Sequence, residues 1–126
     1  MKRLAWLLLI ALWLAPAVCA GAETAKIFQE ANTSYRTGDH AKAAALYESL
    51  IEKEPRVAFF YYDLANAYVR LGKLSRAILN YEKALRLDPR NGDIRENLRY
   101  TRGLLEYRVE DTRNWYLKAT EAVLKY

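Results

Sequence analysis

The stretch Ala58–Asn91, AFFYYDLANAYVRLGKLSRAILNYEKALRLDPRN, decides the fold. Tyr61, Leu64, Ala65, Tyr68 and Leu71 recur at i, i+3, i+4, i+7 and i+10, which is one face of a helix. Gly72 follows, the residue that most easily takes the left-handed conformation that ends a helix. Leu74, Ala77, Ile78, Tyr81, Ala84 and Leu85 then set a second helical stripe. Asp88-Pro89 stops it, because the residue before a proline is pushed out of the α region. The stretch therefore reads as a helical hairpin with a short connection.

The same pattern stands directly upstream. Ala31 and Ala65, Asn32 and Asn66, Gly38 and Gly72, Ala43 and Ala77, Tyr47 and Tyr81, Glu48 and Glu82, and Pro55 and Pro89 are each 34 residues apart. That many pairs at one offset, Gly and Pro included, mark an internal repeat. The upstream copy has Ile27, Ala31 and Ser34 on its first helix, and Ala43, Leu46, Tyr47, Leu50 and Ile51 on its second. The paired alanines fall where two helices of a hairpin cross, and the tyrosines fill the space one turn on. Both sets are core positions.

The second copy is similar to the tetratricopeptide repeat (TPR) along its whole length. Tyr61, Leu64, Ala65, Tyr68, Gly72, Ala77, Tyr81, Ala84 and Pro89 carry the resemblance. Ala31, Gly38, Ala43, Tyr47 and Pro55 match in the first copy, where Ser34 replaces the usual aromatic and Leu50 the usual small residue. The resemblance implies an all-α solenoid of two hairpins, residues 24–57 and 58–91. Repeat hairpins stack only on their neighbours, so two need a polar cap. Ile94, Leu98, Thr101 and Leu105 form an apolar stripe that predicts a capping helix over 92–110. The repeat pattern breaks there, with Arg99 for a small residue and Glu106 for Gly. Residues 111–126 read as a separate, weakly amphipathic segment.

The chain begins differently. Lys2 and Arg3 precede the run LAWLLLIALWL from Leu4 to Leu14, then Pro16 and small residues to Ala22. A basic head, apolar middle and small-residue exit describe a signal peptide over 1–22, cleaved after Ala20 or Ala22. A retained anchor is a second reading, since the uncharged stretch Leu4–Ala22 is 19 residues, about one bilayer span, and lipidation of Cys19 is a third, disfavoured by Val18 where a small residue such as Gly or Ala is wanted. The expected location is exported, periplasmic or membrane-associated.

Of the 126 residues, 20 are basic and 15 acidic, a net charge of +5. Without Lys2 and Arg3 it is about +3. The one Cys, Cys19, lies in the leader, so the mature chain has no disulfide or thiol chemistry. One His, His40 in the hairpin turn, makes no metal site. No nucleophile elbow, phosphate loop or zinc motif is present. The sequence thus points away from an enzyme and implies no cofactor and no metal. Nucleic acid is not expected: Arg86, Arg90, Arg95, Arg99 and Arg102 are interrupted by Asp88, Asp93 and Glu96 and read as a solvated face.

The segment DPRNGDIRENLRYTRGLLEYRVED, behind such a leader, resembles the exported TPR region of the bacterial aerotolerance-operon BatE-like proteins. That family usually continues into transmembrane helices, which implies either a truncated member or a stand-alone relative. The TPR resemblance places first-helix residues on a concave groove: Phe28, Asn32, Tyr35 and Arg36, then Phe59, Tyr62, Asn66 and Arg70, with Asp63 and Val69 beside them. It implies a protein or peptide partner, and the expected setting is a membrane-associated complex. Asn pairs a donor with an acceptor and can hold a peptide backbone. Tyr and Arg are frequent binding anchors. The TPR carboxylate clamp is not expected. Asn32 matches it, but Phe28 replaces its first Lys, Asp63 its second Asn, and Asp93 and Glu96 its last two cations. Acidic groups repel a chaperone's C-terminal carboxylate.

Overall fold

The computed structural model describes residues 21–124. Apart from residues 21 and 22, the leader read over 1–22 lies outside that range. The described chain is all α: α1 over 21–36, α2 His40–Lys53, α3 Ala58–Arg70, α4 Leu74–Leu87 and α5 Gly92–Leu124. It divides between Pro55 and Arg56 into two compact units. None of the described helices is long and apolar enough to cross a membrane.

In the first unit, α1 and α2 are joined at Gly38, whose φ of +89° is left-handed. Asp39 caps α2, its carboxylate accepting from the Lys42 N–H at 3.0 Å. Ala31, Ser34, Ala43, Ala44, Tyr47 and Leu50 are buried. Ser34, where an aromatic is usual, is buried as a small residue. Exposed ion pairs Lys42–Glu30 at 2.9 Å and Lys53–Glu23 at 3.0 Å tie α2 to α1. Exposed pairs of this kind contribute little to stability.

In the second unit, α3 and α4 meet at Gly72, with φ +70°. The Gly72 N–H donates to the Val69 carbonyl at 3.0 Å and the Lys73 N–H to the Tyr68 carbonyl at 2.9 Å. Those two bonds are the Schellman cap that a left-handed glycine permits. α2 and α4 end alike: Glu54 and Asp88, each before a proline, have φ/ψ of −134°/77° and −133°/80°. The stripe Tyr61, Leu64, Ala65, Tyr68 is buried. So are Phe60 and Ala67, which period reading did not place in the core because they lie off that stripe.

Asn91 starts α5, its side-chain oxygen accepting from the Ile94 N–H at 3.2 Å. Ile94, Leu98 and Thr101 are buried and Leu105 half-buried. Arg102 pairs with Glu82 of α4 at 2.7 Å, and Arg108 donates to the Gly72 carbonyl at 3.0 Å. The helix then continues to Leu124 without a break, across the boundary read at 110/111. After Gly103 the chain holds no proline or glycine, so nothing stops a helix. From Glu106 on, every residue to Leu124 is exposed except half-buried Ala119.

Candidate functional site

On α1, positions 28, 32, 35 and 36 share one side of the helix. Phe28 is half-buried, its ring 6.4 Å from that of Tyr47. Tyr47 donates through its hydroxyl to Asn32 Oδ1 at 2.7 Å. Tyr35 is half-buried with its ring 5.1 Å from His40, edge to face. Arg36 is exposed and donates to Thr33 Oγ1 at 3.5 Å.

On α3, Phe59, Tyr62, Asp63, Asn66 and Arg70 follow the i, i+3, i+4, i+7, i+11 rows of one face. Asn66 Oδ1 accepts from the Tyr81 hydroxyl of α4 and, at 3.4 Å, from Asn97 Nδ2 of α5. Asn97 Nδ2 also donates to the Tyr62 hydroxyl at 3.0 Å. Tyr62 and Tyr81 lie with ring centroids 5.9 Å apart. Three helices of the unit thus fix Tyr62 and Asn66. Phe59 stands at the edge of the group, 51% exposed, its ring against Phe60 at 4.7 Å. Arg70, at the end of α3, is exposed. Burial pushes the half-buried Asp63 carboxyl up from its usual 3.8 to about 6, so it is still mostly ionised at neutral pH.

Three features were missed in the sequence. Tyr47 and Tyr81 are core positions by their spacing, yet each hydroxyl also holds the oxygen of the repeated Asn. The signal was present: Asn and Tyr stand fifteen residues apart in both copies, 32 with 47 and 66 with 81. Asn66 Oδ1 thus accepts two hydrogen bonds and Asn32 Oδ1 one, which leaves the Nδ2 donor as the group of each best suited to a ligand carbonyl. Second, α5 brings Asn97 to the face, not Glu96. Glu96 is exposed and pairs with Arg99 at 3.7 Å. One residue is about 100° of helix, enough to turn a side chain away. Third, His40 is half-buried against Tyr35, and its buried Nδ1 has no hydrogen-bond partner.

The arginine cluster is largely engaged. Arg86 and Arg102 both reach Glu82, at 4.0 and 2.7 Å. Arg95 donates to the Pro89 carbonyl at 2.7 Å. Among the described residues no group of three or more His, Cys, Asp or Glu could hold a metal ion.

The hairpins have known counterparts. The tetratricopeptide repeat family model matches residues 28–92. Protein SGT1 homolog of Oryza sativa subsp. japonica is 34% identical over 70 residues, 56% of this chain and 19% of that protein. The Tetratricopeptide repeat and J domain-containing co-chaperone DNJ1 of Cryptococcus neoformans var. grubii is 35% identical over 65 residues, 52% of this chain and 12% of that one. The chain thus spans about a fifth or less of the length of these curated relatives. The Sgt2 TPR domain from Aspergillus fumigatus superposes with a TM-score of 0.63 at 24% identity, over 68% of this chain and 58% of that one. That likeness is one of fold. With its family model covering Phe28 to Gly92, and with two hairpins closed at left-handed Gly38 and Gly72, the chain belongs to the tetratricopeptide repeat family.

Proposed function

We propose that the chain is an exported scaffold that docks a protein or peptide partner on the first-helix faces of its repeats, within an envelope-associated complex. Repeat hairpins serve chiefly as interaction surfaces. The observation that carries the reading is the α3 face. Tyr62 and Asn66 are held by Tyr81 and Asn97 before any partner arrives, beside an exposed Phe59 and Arg70. A face ordered in advance loses less freedom on binding. Phe28, Asn32, Tyr35 and Arg36 are the corresponding residues of α1. Export rests on the leader pattern of Met1 to Ala22 alone. The co-chaperone named among the relatives suggests a chaperone-linked partner, but the replaced clamp residues argue against docking by a carboxylate tail.

The test is a pull-down from an envelope fraction with wild type and with Phe59, Tyr62, Asn66 and Arg70 changed together to alanine. The reading predicts proteins retained by wild type and lost by the variant. Identical sets would overturn it.

A second reading is favoured by the segment Asp88–Asp111 and its BatE-like resemblance. The chain would then be the soluble, spacing head of a longer membrane protein. Source DNA encoding an apolar span of about 20 residues after Tyr126 would support it.

A further inference from the structure

The apolar row of α5 does not end where its cover ends. Ile94, Leu98 and Thr101 are buried in the second unit, where α5 packs on α4. The same row runs on in steps of three and four through Leu105, Val109, Thr112, Tyr116, Ala119 and Val123, one continuous side of the helix. Val109, Tyr116 and Val123 are more than half exposed, as is Leu117 beside them. An open groove along this side is lined by Val109, Thr112, Tyr116 and Leu117, with Arg108 and Arg113. From Val109 to Leu124 this half of the helix spans 16 residues, about 24 Å. Most helical stability comes from packing an apolar face, and contiguous exposed apolar surface marks an interaction site.

What covers it follows from the charges. Glu106, Arg108, Glu110 and Asp111 give the start of the distal half three acids and one cation, net −2. Arg113, Lys118, Glu121 and Lys125 give its end three cations and one acid, net +2. Arg108 reaches the Gly72 carbonyl at 3.0 Å and Arg113 pairs with Glu110 at 3.5 Å, both in solvent, where such contacts hold little. A second copy running antiparallel sets each acidic start against a basic end and opposes the two helix dipoles. A two-fold axis near Tyr116 then places Val109 opposite Val123 of the second copy and Tyr116 against its own counterpart, an isologous contact. A parallel copy would set like charges side by side. An anionic lipid surface finds no net attraction, because the four cations and four acids of the distal half cancel.

We propose that the chain self-associates as an antiparallel dimer through the distal half of α5, with Val109, Tyr116 and Val123 at the seam. The contact is one helix against one helix, smaller than a standard stable interface, so the copies exchange at micromolar concentration. The docking reading of the α3 face does not depend on it; a dimer presents that face twice.

The purified protein is followed by sedimentation velocity, under reducing conditions, from about 1 to 200 μM. Wild type is expected to pass from monomer to dimer across that range. Tyr116→Glu lies at a position 60% exposed, and circular dichroism checks that the fold is kept. It sets two like charges across the axis and is expected to weaken dimerisation at least about tenfold. Glu110→Lys with Asp111→Lys turns the start of the distal half from net −2 to +2 and is expected to do the same. Adding Lys118→Glu and Lys125→Glu turns its end from +2 to −2 and is expected to restore dimerisation to within about threefold of wild type. A monomer throughout, or a dimer indifferent to Tyr116→Glu, overturns the proposal. Dimerisation unmoved by the first charge reversal, or not restored by the second, overturns the antiparallel pairing. A monomer that binds vesicles of phosphatidylcholine and phosphatidylglycerol, and loses them with Tyr116→Glu, gives the face to a membrane instead and overturns it too.

Discussion

Ala31, Ala43, Ala65 and Ala77 have no exposed surface at all. Their size sets how closely the two helices of each hairpin approach. Ala65→Leu inserts three carbons into a space packed on all sides, and is expected to cost about 1–3 kcal/mol in chemical denaturation. An unchanged midpoint would show that α3 and α4 do not cross there. Asp63 makes a prediction with a defined sign. Its folded pKa of about 6 lies above its usual 3.8, so the folded chain holds the proton more tightly than the unfolded chain. Asp63 therefore costs nothing below about pH 4, and its cost grows as pH rises through 6. Allowing for its partial exposure, Asp63→Asn should gain about 1–2 kcal/mol on wild type at pH 7 and nothing at pH 4. Equal stability of the two proteins at pH 7 would refute the desolvation. The alanines and tyrosines were legible because their spacing is strict. The bonds of Tyr47 and Tyr81 were not, because a buried ring and a buried ring with a hydroxyl bond leave the same periodicity.

α5 is two different elements in one helix. Its first half is anchored by Ile94, Leu98 and Thr101, whose exposures are 2, 5 and 1%. Its second half carries Val109, Trp115, Tyr116, Leu117, Val123 and Leu124 in solvent, all more than half exposed. Leu98→Ala is accordingly expected to cost about 2–5 kcal/mol. Deleting residues 112–126 should change the thermal stability of the monomer far less, and amide exchange there should be fast in the monomer. A deletion as damaging as Leu98→Ala would mean that the distal half contributes to the folded core. The cap was legible from its stripe. Its length was not, because the apolar stripe that predicts a helix over 92–110 fades after Leu105 while the helix runs on to Leu124. Loss of burial removes packing; only a breaker or a cap ends the hydrogen-bond ladder.

Across the whole molecule, the 34-residue period marks two helical hairpins, and the residues within it carry the resemblance to the family whose model matches residues 28–92. Which face binds is a different kind of question. Asn32 and Asn66 repeat with the period because each also holds a tyrosine of its own hairpin, so recurrence alone does not separate structure from recognition. What departs from the pattern on the α3 face is Asn97, supplied by a helix outside the repeats and donating to Tyr62 and Asn66. The leader-like pattern of Met1 to Ala22 makes its own prediction. Protein recovered from the envelope should begin at residue 21 or 23, and an intact Met1 on N-terminal sequencing would contradict cleavage. The central claim, that the α3 face docks a partner, is tested most directly by photo-crosslinking in cells. Benzoylphenylalanine is placed at Phe59 or at Leu79 of α4, which are 51 and 48% exposed. The account predicts a discrete adduct from position 59, abolished by Asn66→Ala with Arg70→Ala, and none from position 79. The same adducts from both positions, or none from position 59, would contradict it.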